Sequence, residues 1–223
     1  QFELTSYDRR GRGDSEDGDR YSIEREIEDV LAVIEASNPP VHLVGHSFGA
    51  ILCLFAAARA GSKIDKLVLY EPPLGAQHVH VGWLDALQEM VDRGELDAAI
   101  SQFAAAASIT DDELRTLESS PGTWAHLRDG VRVAAREIRA AKAALPVDER
   151  VLGAISVPTL VLLGDEQDHP SYTGLHDLAA QLPSGRLERV PGRHLALVFA
   201  AQDFTGVLRG FLGFNQTFAV RDD

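Results

Sequence analysis

A chain of 223 residues is one domain's worth, long enough to bury a sizeable core. Lys and Arg number 21 against 34 Asp and Glu, a net charge of −13. That balance disfavours nucleic acid and anionic membranes as partners, since both need a basic surface. The single cysteine excludes an intramolecular disulfide, no apolar run reaches membrane-span length and no signal peptide is visible, so cytoplasm is the expected compartment.

In chain order, Phe2 to Tyr7 reads as a strand, followed by a polar, Gly-rich loop to Asp19. Ser22 suits a helix cap ahead of Ile23, Ile27, Val30, Leu31 and Ile34, which share one helical face. Pro39 and Pro40 end that helix. An apolar run from Val41 to Val44 then leads into Gly45-His46-Ser47-Phe48-Gly49, and a long Ala-rich apolar stretch follows from Ala50 to Ala60. Strand, sharp turn and helix in this order put the central serine in a strained conformation with its hydroxyl lifted clear of the backbone. The two glycines are expected to remove side chains that would collide with strand and helix. Cys53, inside the apolar helix, reads as a core residue.

Ile64 to Tyr70 is the next strand, closed by Glu71-Pro72-Pro73. Strands alternating with helices argue for a parallel sheet covered on both faces. From about Gly75 to Val151 that alternation stops. Trp83, Leu84, Leu87 and Met90 recur at helical spacing, Leu96 to Ala107 is Ala-rich, Thr110 to Glu113 fits a capping box, and Val131 to Leu145 reads as a further helix. The expected organisation is a core over residues 1–74, a helical insertion over 75–151 and a second part of the core over 152–223. Within the last part, Val157 to Gly164 is a strand, a helix runs to Leu182, Leu187 to Val190 is a strand, and Leu195 to Leu212 is a closing helix.

A serine hydroxyl needs a base to take its proton. His194, in a Gly-containing loop after the last strand, is the best candidate beside Ser47. His42 and His46 flank the strand into the turn, with His46 directed into packing, while His126, His169 and His176 read as surface. His78 and His80 have no carboxylate at ligand spacing, so no metal site is expected.

These segments resemble the α/β-hydrolase family over nearly the whole chain. Tyr7-Asp8-Arg9-Arg10-Gly11-Arg12-Gly13-Asp14-Ser15 is similar to the loop after the family's fourth strand, Val157 to Gly164 to the strand leading to its acid, and Gly192-Arg193-His194 to the loop carrying its histidine. The order serine, acid, histidine agrees. The resemblance implies an α/β fold, a mostly parallel sheet flanked by helices with a helical cap insertion. It implies a cofactor-free serine hydrolase of a carboxylic ester, lactone or thioester. Trp83, Leu84, Leu87, Met90 and Phe103 in the insertion, with few polar groups beside them, point to an apolar small-molecule substrate, and an oligomer is compatible with the sequence. C–C bond hydrolysis or perhydrolysis on the same residues is the alternative reaction, and a non-catalytic small-molecule binder the alternative class. The implied roles are Ser47 as nucleophile, His194 as base and the Phe48 N–H as oxyanion donor. For the acid, the family's Asp usually stands three residues after the glycine, where this chain has Gln167. Asp168 is preferred, with Asp165 and Glu71 as alternatives.

The family also has strands and a His-Gly loop ahead of the segment where this chain starts. One of those strands lies between the strand ending at Asp8 and the one leading to Ser47, and the loop supplies a second oxyanion donor. The N-terminal strands are absent from this chain, so a fragment of a longer chain is expected. Phe218 to Val220 is too short to fill the gap.

Overall fold

Four parallel strands form one sheet in the order β1 (Val41–His46), β2 (Ile64–Tyr70), β3 (Thr159–Gly164) and β4 (Gly185–Val190) in the computed structural model, which describes residues 3–213. The side chains of β2 and β3 alternate strictly between two buried faces. Leu67, Leu69, Val161 and Leu163 point to one face, where α1 (Ile23–Ala36), α2 (Phe48–Ala60) and, further along the chain, a helix over 175–181 complete the core. Val68, Tyr70, Leu160 and Leu162 point to the other, against Phe204 and the C-terminal helix. Both faces are covered, which accounts for the continuous apolar character of these strands.

α1 begins where expected: the Ser22 hydroxyl accepts the Arg25 N–H at 3.3 Å, and Ile27, Val30 and Ile34 are buried. α2 is buried nearly all round, from Ala50 to Ala60. Cys53 lies within it, and burial pushes its thiol up to about 12, in line with a core role.

Between β2 and β3 lie α3 (Val81–Asp92), α4 (Leu96–Ala106), α5 (Asp111–Glu118) and α6 (Pro121–Ala144), then the short α7 (Glu149–Gly153). α3 to α6 share an apolar cluster of their own, including Leu87, Ile100, Trp124 and Val131. The Thr110 and Glu113 capping box is formed at α5. α6 starts ten residues earlier than the sequence suggests, with Pro121 in its first turn, where a missing N–H costs nothing. α8 (Leu175–Gln181) leads to β4. The closing helix is two pieces, α9 (Ala196–Phe199) and α10 (Ala201–Leu212).

One expected strand does not form. Among the described residues, 3–8 run outside the sheet and Leu4 is 92% exposed. A strand exists only with a ladder partner, and β2 is the only strand paired with β1 among those described. Among the described residues β1 therefore lies at an edge of the sheet, with Val44 exposed. Phe2 and Phe218 to Val220 lie outside the described residues. Among the described residues, no helix is long and apolar enough to cross a membrane.

Candidate active site

Parallel strands bring all four carboxyl ends to one edge of the sheet, where crevices form. Ser47 follows β1, Glu71 follows β2, the 165–169 loop follows β3, and Gly192 to His194 follow β4.

Ser47 has φ 55° and ψ −127°, a conformation that side chains other than hydrogen rarely adopt. Its N–H donates to the Tyr70 carbonyl at 2.9 Å, which pins the turn to β2. A side chain at Gly45 would stand 2.6 Å from the Ala50 Cα, so that glycine is sterically required. Gly49 is different: a Cβ there meets nothing within 4 Å, and the clash expected from sequence is absent. Phe48 opens α2, so its N–H is one of the first-turn donors without an intrahelical acceptor.

His194 is 4% exposed. Its Nδ1 lies 2.8 Å from Glu71 Oε2, and Glu71 is fully buried. The sequence preference for Asp168 is thereby corrected. The Asp168 side chain is 84% exposed and pairs with Arg193 at 3.2 Å on the outer side of the loop. Asp165 Oδ1 accepts the Gly192 N–H at 2.8 Å, which ties the histidine loop to the end of β3. Glu71 starts from the centre of the sheet, between β1 and β3, and its extra methylene carries the carboxylate to the ring. It too has a positive φ, 45°, held by its N–H bond to the Leu162 carbonyl at 3.0 Å. The signal for it in the sequence was an acidic residue directly after a strand, together with Gln167 where the family's Asp stands.

A ring column braces His194. His46 lies 4.5 Å from His194, centroid to centroid, and stacks on Tyr70 at 5.0 Å. Tyr172 stacks on His194 at 4.8 Å. The Tyr172 hydroxyl donates to the Ala107 carbonyl at the end of α4, 3.2 Å away. His46 Nε2 is 2.9 Å from the His194 carbonyl, an atom that can only accept, so this nitrogen carries a proton and cannot serve as the base.

Burial, first of all, depresses the His46 pKa to about 3. The unfolded chain therefore binds a proton that the folded one does not, between about pH 3 and the ordinary value of 6.5. Stability should fall as pH drops through that window, by between about one and two kcal/mol per pH unit. Denaturant midpoints of wild type and His46→Phe at about pH 7 to 4 check this. The phenyl ring keeps the stack but does not titrate, so its slope should be flatter; parallel curves would place the acid sensitivity elsewhere.

Ser47 and Phe48 line a cavity of about 550 Å³ beneath the inserted helices. Trp83 and Phe103 form part of its wall, whereas Leu87 and Met90 pack the inserted helices together and Leu84 is fully buried. His80 and His169 also line it. Each accepts a backbone N–H at Nδ1, from Gly82 at 3.1 Å and Ser171 at 3.2 Å, so each neutral ring carries its proton on Nε2.

Glu137, on α6, is a wall residue the sequence did not announce. It is 4% exposed and takes three bonds, from Arg9 Nη2 at 2.9 Å and from Arg12 Nε and Nη2 at 2.9 and 2.7 Å. Arg9 also reaches the buried Glu26 at 3.1 Å and lies over the Phe48 ring. Arg9 and Arg12 thus pair with the Glu137 carboxylate where it meets the cavity wall. Among the described residues, no group of three or more His, Cys, Asp or Glu is placed to hold a metal ion.

Residues 2–205 match the alpha/beta hydrolase family. A protein named carbamate hydrolase RutD, from Agrobacterium fabrum, is 28% identical over 193 residues, covering 83% of this chain and 73% of that one. The protein named 3-oxoadipate enol-lactonase 1, from Acinetobacter baylyi, is 23% identical over 95% of this chain and 79% of its own length. The crystal structure of an alpha/beta hydrolase from Sphaerobacter thermophilus superposes with a TM-score of 0.75 at 28% identity, covering 92% of this chain and 80% of the other.

Proposed function

The chain belongs to the α/β-hydrolase family, and from that premise we propose that it is a serine hydrolase cleaving a carboxylic ester, lactone or thioester with an apolar acyl or alcohol part. Ser47 attacks the carbonyl carbon. His194 takes its proton through Nε2 and returns it to the leaving oxygen or sulfur. Glu71 holds the Nδ1–H tautomer and stabilises the imidazolium. The Phe48 N–H, favoured by the helix dipole, faces the developing oxyanion. Water then repeats the cycle on the acyl-enzyme.

The observation that carries this reading is the buried Glu71–His194 bond at the sheet edge where Ser47 stands in its strained turn. The relatives' names, a carbamate hydrolase and an enol-lactonase, both denote attack at an acyl carbon, which supports the reaction class. The aromatic and aliphatic wall, with its Glu137 carboxylate paired to Arg9 and Arg12, supports an apolar substrate.

A series of p-nitrophenyl esters of rising chain length tests the proposal. Each CH₂ that finds wall surface should add about 0.8 kcal/mol, roughly fourfold in kcat/KM, until the cavity fills. Absence of turnover across the series would remove ester hydrolysis. A flat series, or a preference for charged esters, would remove the apolar substrate.

A further inference from the structure

Gln167 is fixed at both ends. Its Oε1 accepts the His169 backbone N–H at 3.1 Å, and a backbone N–H can only donate. The amide orientation is therefore set, and Nε2 is the end that faces Glu71 Oε2, at 2.9 Å. The same oxygen meets His194 Nδ1 at 2.8 Å, and Glu71 Oε1 accepts the Gly164 N–H at 2.8 Å. Three donors thus converge on one fully buried carboxylate.

We propose that Gln167 is a positioning residue for the hydrolytic reaction, aiming the Glu71 carboxylate at His194 without touching substrate. Gln167 is absent from the cavity wall. A glutamate has one more torsion than an aspartate, and a side chain reaching from β2 to the histidine loop needs a second fixed point. Gly164 holds one oxygen, and Gln167 holds the oxygen that His194 uses. The titratable groups facing this carboxylate are His194 from the loop after β4, Tyr70 at the end of β2 and Tyr172 from the segment after β3. Arg189 on β4 is directed to the Gly164 carbonyl, at 3.4 Å. Asp165 is engaged with Gly192, and Asp168 with Arg193.

The inference rests on Glu71 as the acid, so Glu71→Gln is the control for that reading. Two variants of similar shape test Gln167 itself. Gln167→Met removes the donor and should lower kcat by about tenfold, the worth of one hydrogen bond to a charged group, with KM within about twofold. Gln167→Glu sets a second carboxyl against the first. At about pH 8 both ionise and repel, and kcat should be at least as low as in Gln167→Met. Towards about pH 6 the introduced carboxyl holds a proton and can donate, so its kcat relative to wild type should recover while that of Gln167→Met does not. A merely packing role would give pH-independent ratios for both variants. Such ratios, or unchanged kcat in Gln167→Met while Glu71→Gln is inactive, would overturn the positioning role alone. An active Glu71→Gln would instead overturn the acid assignment beneath it.

Discussion

Ser47→Ala is expected to lose all labelling by a fluorophosphonate probe and about six orders of magnitude in kcat, the scale seen when a catalytic serine is removed. Hydrogen in place of the hydroxyl removes the bond-forming atom while leaving the turn intact. The strain at φ 55° is held by the Ser47 N–H bond to Tyr70 and by the close approach at Gly45, neither of which involves the hydroxyl. The variant should therefore fold normally and bind substrate with little change. What remains over the uncatalysed rate would come from binding and the oxyanion donor alone. Undiminished ester turnover in this variant would sink the serine mechanism.

Glu71→Gln should follow, with a loss of about 10⁴ in kcat. The amide offers N–H to Nδ1 in place of a lone pair. Nδ1 must then accept, the ring proton moves to Nε2, and the nitrogen that should deprotonate Ser47 no longer can. The introduced amide group also meets the Gln167 amide, donor against donor. Asp168→Asn is the contrasting case. It removes an exposed ion pair with Arg193, worth little, and activity should hold. Asp165→Asn should cost activity only so far as the Gly192 N–H bond at 2.8 Å weakens. If Asp168→Asn were the crippled variant and Glu71→Gln active, the acid would have to be reassigned.

What the sequence discloses is what depends on short-range contacts. Gly45 to Gly49 sit between an apolar run and an Ala-rich run, so the turn, its strand and its helix are local and readable. The family and the parallel sheet with flanking helices follow from such segments. Ser22 and Thr110 announce their helices because a cap acts within three residues. The carboxylate partner of His194 is not local. Glu71 reaches His194 because its N–H bonds Leu162 and its Oε1 bonds Gly164, so its place depends on the register of β2 against β3, which no single segment encodes. Glu137 is hidden for the same reason: its partners lie over a hundred residues away. The start of α6 was obscured because Gly122, Thr123 and Gly130 are weak helix formers, overridden here by packing of Trp124 and Val131. The Phe2 to Tyr7 segment has strand composition, yet composition cannot supply the ladder a strand requires.

Tyr172 has a consequence for anyone who would transplant the inserted helices. Its ring lies on His194 and its hydroxyl is spent on a carbonyl at the end of α4, so the inserted helices and His194 share one side chain. A foreign insertion grafted between β2 and β3 would need an acceptor at the position of the Ala107 carbonyl. Without one, a buried phenol would be left unpaired, at a cost of about 1–3 kcal/mol, and the ring would be free to tilt away from His194. Compatibility of insertion and core in such chimaeras therefore depends on this backbone oxygen as well as on the Glu137 bonds to Arg9 and Arg12, before any contact with substrate.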